Sequence, residues 1–189
     1  MSNALQIEHR DGVTIVRFTR PEIRSPLSVF VLEELAQIVG SIDAGCRRLI
    51  FTGTGDAFAS GADLREIAAV DRDAAREFAL RGQRLMTAIA DLECETIAAV
   101  NGFCFGGALD LALACDIRIA SPAAQFAHPG VGLGIITGWG GTQRLPRKIG
   151  EARALEMFYT ARRVDAAEAL SFGLVDRLAD DALAAAVER

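Results

Sequence analysis

Polar and apolar residues alternate from Leu5 to Arg10, break at Asp11-Gly12 and alternate again from Val13 to Thr19, the pattern of a β-hairpin with a tight turn. Arg20-Pro21 ends it, and Pro26 closes an irregular loop that exposes Arg24. The period then changes: Val31, Leu32, Leu35, Ile38, Val39 and Ile42 recur at helical spacing behind Ser28, whose hydroxyl can cap the helix. Arg48 to Thr52 is short and apolar enough for a buried strand, and Asp63 can cap a brief helix from Leu64 to Ala69. Phe78, Leu85, Met86 and Ile89 give the inner face of a longer helix from about Asp73 to Leu92. The apolar strand Thr96 to Val100 runs into a turn holding Gly102, Gly106 and Gly107, and a helix with Asp110 in its first turns leaves that turn.

Asp116 to Ala120 reads as a further strand and Gln125 to Ala127 as a short extended piece. A glycine-rich loop is expected from Gly130 to Arg147, then helices over Glu151 to Tyr159 and Ala166 to Phe172, a strand at Leu174 to Arg177, and an alanine-rich helix from Asp180 to Arg189. Strands and helices interleave, with no low-complexity linker and no repeat of 20 to 50 residues, so residues 1–189 are expected to form one α/β domain.

Composition narrows this picture in three ways. The hydrophobic fraction is 51% and the aromatic fraction 6%, so the core must be built from Ala, Leu, Ile and Val. A net charge of -5 argues against nucleic acid or an anionic membrane as the main partner. No leader pattern opens the chain, no apolar run reaches membrane-spanning length, and Cys46, Cys94, Cys104 and Cys115 fall in no metal-ligand spacing; these features predict a cytoplasmic protein with reduced thiols and no metal.

Candidate chemistry concentrates at two helix entrances that follow glycines. The first N–H groups of a helix have no partner within it, so the amides of Ala62 and Gly107 are candidates to donate to an oxygen carrying negative charge. Two amides aimed at one oxygen would make an oxyanion hole; the structural alternative is that both glycine turns only reverse the chain. Asp110 follows Gly107 by three residues and so shares its helix face, which suits a general acid or base near whatever that amide holds. The alternative is a first-turn carboxylate held anionic by the helix dipole.

The segments F-A-S-G-A-D-L, I-A-A-V-N-G-F-C-F-G-G-A-L-D-L-A-L-A-C-D and G-W-G-G-T-Q-R-L-P-R resemble the enoyl-CoA hydratase/isomerase family, the crotonases, in the family's order and over nearly the whole chain. The resemblance implies a crotonase-like spiral of repeated ββα units, acyl-CoA thioester substrates with no cofactor beyond their CoA moiety, and a homotrimer or hexamer. It implies that the thioester carbonyl sits between the N–H groups of Ala62 and Gly107. The CoA would lie along the Arg20–Leu27 loop and the stretch after Phe58, so that Arg24, Leu27, Ser60, Ala62, Asp63, Leu64 and Arg65 are its candidate contacts. Arg24 and Arg65 would pair with CoA phosphates or stand as solvated arginines.

Two departures from the family pattern stand out. Family hydratases carry two glutamates, and by motif position these fall on Asp110 and Gly130, so one carboxylate is shorter and the other is absent. Double-bond migration needs one base where water addition normally uses two groups, which keeps isomerase and hydratase chemistry both open, with His128 as a substitute base. The family's C-terminal helices, which cover the acyl site and help trimers assemble, are expected to be reduced or missing after about residue 178. Two rivals remain: a non-catalytic acyl-CoA-binding scaffold, and a hydrolase using Cys104 as nucleophile with Asp116 and His128, since G-F-C-F-G has nucleophile-elbow spacing.

Overall fold

The computed structural model describes residues 4–189; the first three residues of the expected domain lie outside these. Strands β1 (Leu5–Arg10) and β2 (Val13–Phe18) form the expected antiparallel hairpin, with Asp11 and Gly12 both at positive φ in the turn. Beside β2 lie, in parallel, β3 (Arg48–Thr52), β5 (Glu95–Val100), β7 (Ile117–Ala120) and β10 (Arg177–Leu178), completing a six-stranded sheet.

These strands read as continuous apolar runs because both faces of the sheet are covered. Val16, Phe18, Leu49, Phe51, Ala98 and Val100 enter the main core, packed with α1 (Val29–Gly40) and α3 (Ala75–Ala90). Their neighbours Val13, Ile15, Ile50, Ile97, Ala99 and Ile119 point the other way, onto Ala182, Ala185 and Ala186 of the last helix, α8 (Ala182–Val187). Arg48 donates to the carbonyls of Ala186 and Val187, satisfying the end of that helix.

A second sheet of β4 (Ala57–Ala59), β6 (Phe103–Phe105), β8 (Gln125–Ala127) and β9 (Val164–Asp165) stands beside the first. Each of its first three strands follows a strand of the large sheet after a short link, and each is followed by helix. Thus β3-β4 leads to α2 (Leu64–Ala69) and α3, β5-β6 to α4 (Gly107–Ala114), and β7-β8 to a short 3-10 helix (Pro129–Leu133) and α5 (Gly141–Ile149). The result is the ββα spiral implied by the resemblance. Helices α6 (Glu151–Thr160) and α7 (Ala166–Phe172) come close to expectation.

The structure corrects the sequence reading in three places. Residues 141–147, the end of the expected loop, belong to helix: Gly140-Gly141 and Pro146 look like breakers, yet buried Leu145 and Ile149 anchor the segment. Ala57–Ala59 and Phe103–Phe105, read as loop and glycine turn, are strands, too short for a period to register. The expected strand at 174–177 starts later, because buried Leu174 and Val175 pack into the core ahead of it.

Candidate active site

Gly61 and Gly107 bring the two glycine turns together. Gly61 is at φ +86, and a Cβ there would sit 2.6 Å from the carbonyl oxygen of Phe105 and 2.8 Å from the amide nitrogen of Gly107. Only a residue without a side chain permits that approach. Leu27, buried, fixes the first turn from behind by donating its N–H to Gly61 O at 2.8 Å. Asp63 caps α2 by accepting from Arg65 N, which leaves the preceding amide, Ala62 N–H, outside the helix. At the second turn the first return bond of α4 runs from Asp110 N to Gly106 O, so Gly107 N–H is not used by the helix either.

Both residues line a cavity of about 400 Å³ together with Ser60, Leu64, Phe78, His128, Gly130, Thr137 and Trp139. Most of its wall is apolar. Among the described residues, no group of three His, Cys, Asp or Glu side chains is placed to hold a metal ion, and no helix is long and apolar enough to cross a membrane.

Asp110 is the single ionisable group of α4, a helix buried on all sides in the sequence G-A-L-D-L-A-L-A. Its carboxylate is fully buried, with Oδ2 accepting from the Thr137 hydroxyl and the backbone N–H groups of Trp139 and Gly141 aimed at it. Burial outweighs these bonds and the nearby Arg144 charge, raising its pKa from 3.8 to about 6. The dipole-depressed carboxylate considered from sequence is therefore overruled by desolvation. His128, brought by the end of β8, places Nε2 at 3.5 Å from Asp110 Oδ1, and neither atom has a hydrogen-bond partner in the protein. Burial lowers its pKa from 6.5 to about 4, so the ring is neutral at pH 7. Thr137 and His128 stand on the cavity wall, with Asp110 directly behind them.

The remaining candidates divide. Ser60 and Leu64 are on the cavity wall, Leu64 54% exposed, while Asp63 and Arg65 are occupied with each other through a two-point ion pair at 2.7 and 3.0 Å. Arg24 lies away from this cavity, its guanidinium 4.6 Å above the Phe103 ring. The Cys104 hydrolase is not assembled: Cys104 is fully buried with its thiol pushed up by burial, Asp116 is spent on Thr96 N and Oγ1 at 2.8 Å each, and His128 faces Asp110.

Sequence reasoning missed Thr137, Trp139 and Gly141. A Cβ at Gly141 would lie 2.1 Å from Asp110 Oδ1, so the close seat of the carboxylate against α5 depends on that glycine. The signal was within the G-W-G-G-T-Q-R-L-P-R segment, whose glycines read as loop and whose Thr137 neighbour carries no motif of its own.

Residues 8–187 match the family model described as enoyl-CoA hydratase/isomerase. The short-chain-enoyl-CoA hydratase of Clostridium acetobutylicum is 39% identical over 94% of this chain and 69% of its own length. The crotonyl-CoA hydratase of Syntrophomonas wolfei is 40% identical over 91% and 67%. The crystal structure of an enoyl-CoA hydratase from Bacillus anthracis superposes with a TM-score of 0.93 at 38% identity, covering 98% of this chain and 74% of that one. The chain thus spans about two thirds of the length of these curated relatives.

Proposed function

The chain belongs to the enoyl-CoA hydratase/isomerase family, and we propose that it acts on enoyl-CoA thioesters by stabilising their enolate in a hole formed by the N–H groups of Ala62 and Gly107. What supports this reading is the close approach of Gly61 to Gly107, which seats the two glycine turns, each with an amide its helix does not use, against each other beside an apolar cavity lined by Ala62 and Gly107. Negative charge that builds on the thioester oxygen meets fixed dipoles there; each such donor is worth on the order of a hundredfold or more in rate.

Asp110 is the acid and base of this reading. With a pKa near 6 it is ionised at pH 7 yet basic enough to take a proton from a carbon acidified by the thioester and to return it to a neighbouring carbon. That step requires the Thr137 and His128 side chains that separate it from the cavity to part for the substrate. Thr137 and His128, which touch both the carboxylate and the cavity, orient it. One carboxylate suffices for moving a double bond between the 3- and 2-positions; for hydration, the same group must deliver both the water-derived hydroxyl and the proton. Ser60, Leu64 and the cavity rim would carry the CoA arm, with Arg65 available to a phosphate once it leaves Asp63. Working as a homotrimer or hexamer in the cytoplasm belongs to the same reading.

Incubation with saturated, 2-enoyl- and 3-enoyl-CoA substrates in deuterated water tests it. The expected result is deuterium incorporation next to the thioester carbonyl and interconversion of enoyl isomers, both abolished in Asp110→Asn. Exchange that persists unchanged in Asp110→Asn would remove the role of Asp110. Tight CoA binding with no exchange in the unaltered protein would favour a non-catalytic acyl-CoA-binding scaffold.

A further inference from the structure

Trp139 is the chain's only tryptophan, and its indole is clamped between two glycines. A Cβ at Gly82, in the middle of α3, would lie 2.2 Å from its Cδ1, and a Cβ at Gly107 would lie 2.2 Å from its Cζ3. Glycine inside a helix costs about 1 kcal/mol relative to alanine, so Gly82 is an expensive residue whose visible return is room for this ring. The ring is 3% exposed, packs at 6.3 Å from Phe78, and forms cavity wall directly beside the Gly107 amide.

The backbone that carries the indole is held from three sides. Gln83 of α3 donates to Gly138 O at 2.8 Å, Arg144 of α5 donates to Trp139 O at 3.4 Å, and the Trp139 N–H is aimed at Asp110. A side chain fixed in this way acts as a wall and not as a gate.

We propose that Trp139 is the residue that limits acyl length, walling the cavity beside Gly107 so that the site takes short acyl groups. The proposal rests on the oxyanion reading above, because that reading places the thioester carbon at Gly107 and hence the first acyl carbons against the indole. Carbons beyond those few meet the ring and are turned out toward Ile135 and Ile136, of which Ile136 is 68% exposed, so a longer chain stays partly in water.

The tryptophan itself provides the probe. Titration of the unaltered protein with butyryl-CoA and decanoyl-CoA, followed by indole fluorescence, should show butyryl-CoA quenching the signal and binding about tenfold or more tighter, the scale of discrimination a hydrophobic pocket supplies. In Trp139→Leu, followed by calorimetry, that preference should disappear or reverse. Equal affinity for the two thioesters in the unaltered protein overturns the proposal, as does an unchanged preference in folded Trp139→Leu. If neither thioester binds, the acyl-CoA reading fails and this one with it. A butyryl preference accompanied by no proton exchange or enoyl turnover leaves Trp139 as the length limit and sinks only the catalytic reading. Should Trp139→Leu fail to fold, Trp139→Phe and the unaltered protein's own chain-length series still decide the question.

Discussion

Asp110 Oδ1 and His128 Nε2 face each other at 3.5 Å, both buried and neither with a hydrogen-bond partner, so two polar atoms stand unsatisfied side by side in the interior. At pH 7 the carboxyl is ionised and the imidazole neutral; below pH 6 the carboxyl holds a proton while the ring remains neutral down to about pH 4. The pair is a carboxylate and an imidazole whose environments push their pKa values toward each other and past each other, the inverse of their order in water.

A stability prediction follows from proton counting. Near pH 5 the folded protein carries Asp110 protonated and His128 neutral, whereas the unfolded chain carries the carboxylate ionised and the imidazole protonated, so each state binds one proton at this pair. Stability changes with pH only where the two states bind different numbers, so the pair adds almost no slope between about pH 4 and 6. His128→Gln leaves the raised carboxyl alone, whose ionisation costs the folded state; relative to the unaltered protein, this variant should gain stability as pH falls from 7 toward 4. Asp110→Asn removes the raised carboxyl and leaves the depressed imidazole alone, and should lose stability relative to the unaltered protein as pH falls through about 6 toward 4. Urea midpoints at several pH values measure both, and relative slopes of the same sign in the two variants would refute the inverted order of the two pKa values.

Catalysis should show the same carboxyl from the other side. A base must be ionised to accept a proton, so kcat/KM for converting a 3-enoyl-CoA to its 2-enoyl isomer should be flat above pH 7 and fall as pH drops through about 6. Thr137→Val removes a hydrogen bond to the charged form, and should move that limb to higher pH while costing turnover. A limb left in place by Thr137→Val would mean that the Thr137 hydroxyl does not tune the acting group.

Gly61→Ala tests the backbone half of the site without touching a titratable group. The added methyl meets the Phe105 carbonyl and the Gly107 amide nitrogen, and φ +86 is strained for alanine, so the turns must separate. Expected are a loss of about 1–3 kcal/mol in stability and a fall in kcat on the order of a hundredfold, with a smaller change in KM. A variant with unchanged kcat would dissociate the Ala62–Gly107 juxtaposition from the chemistry.

The sequence made the large sheet legible because its strands alternate between two apolar cores, and α1 legible because Ser28 and a clean helical period mark it. The helix starts after Gly61 and Gly106 and the place of Asp110 in the first turn of α4 were legible for a different reason: glycine before a helix and an acid three residues on are local signals. What escaped was long-range. Nothing near Thr137 announces that it will bond Asp110, 27 residues earlier, and nothing near Gly82 announces an indole from residue 139. Desolvation is equally invisible along the chain: the sequence leaves a dipole-held carboxylate open as the alternative for Asp110, and only the burial of α4 on all sides decides against it.

The missing second carboxylate is built into the backbone and not only into residue choice, and this makes a final prediction. Gly130, which the motif resemblance sets at a family glutamate's position, lies on the cavity wall, where Ile135 N donates to Gly130 O at 3.0 Å and closes a tight turn. A Cβ at 130 would lie 2.6 Å from the carbonyl oxygen of Ile135, a backbone atom that cannot swing aside as a side chain could. Gly130→Glu must therefore displace the Ile135–Thr137 segment, which holds both cavity wall and the Asp110 hydrogen bond. Hydration of crotonyl-CoA should not rise, and thermal stability should drop by an amount corresponding to about 1–3 kcal/mol. Gly130→Ala, which adds the clash and no carboxylate, should lose a comparable amount, separating the turn's geometry from the charge. Faster hydration in Gly130→Glu at unchanged melting temperature would show instead that the turn yields freely and that this site lacks only its second acid.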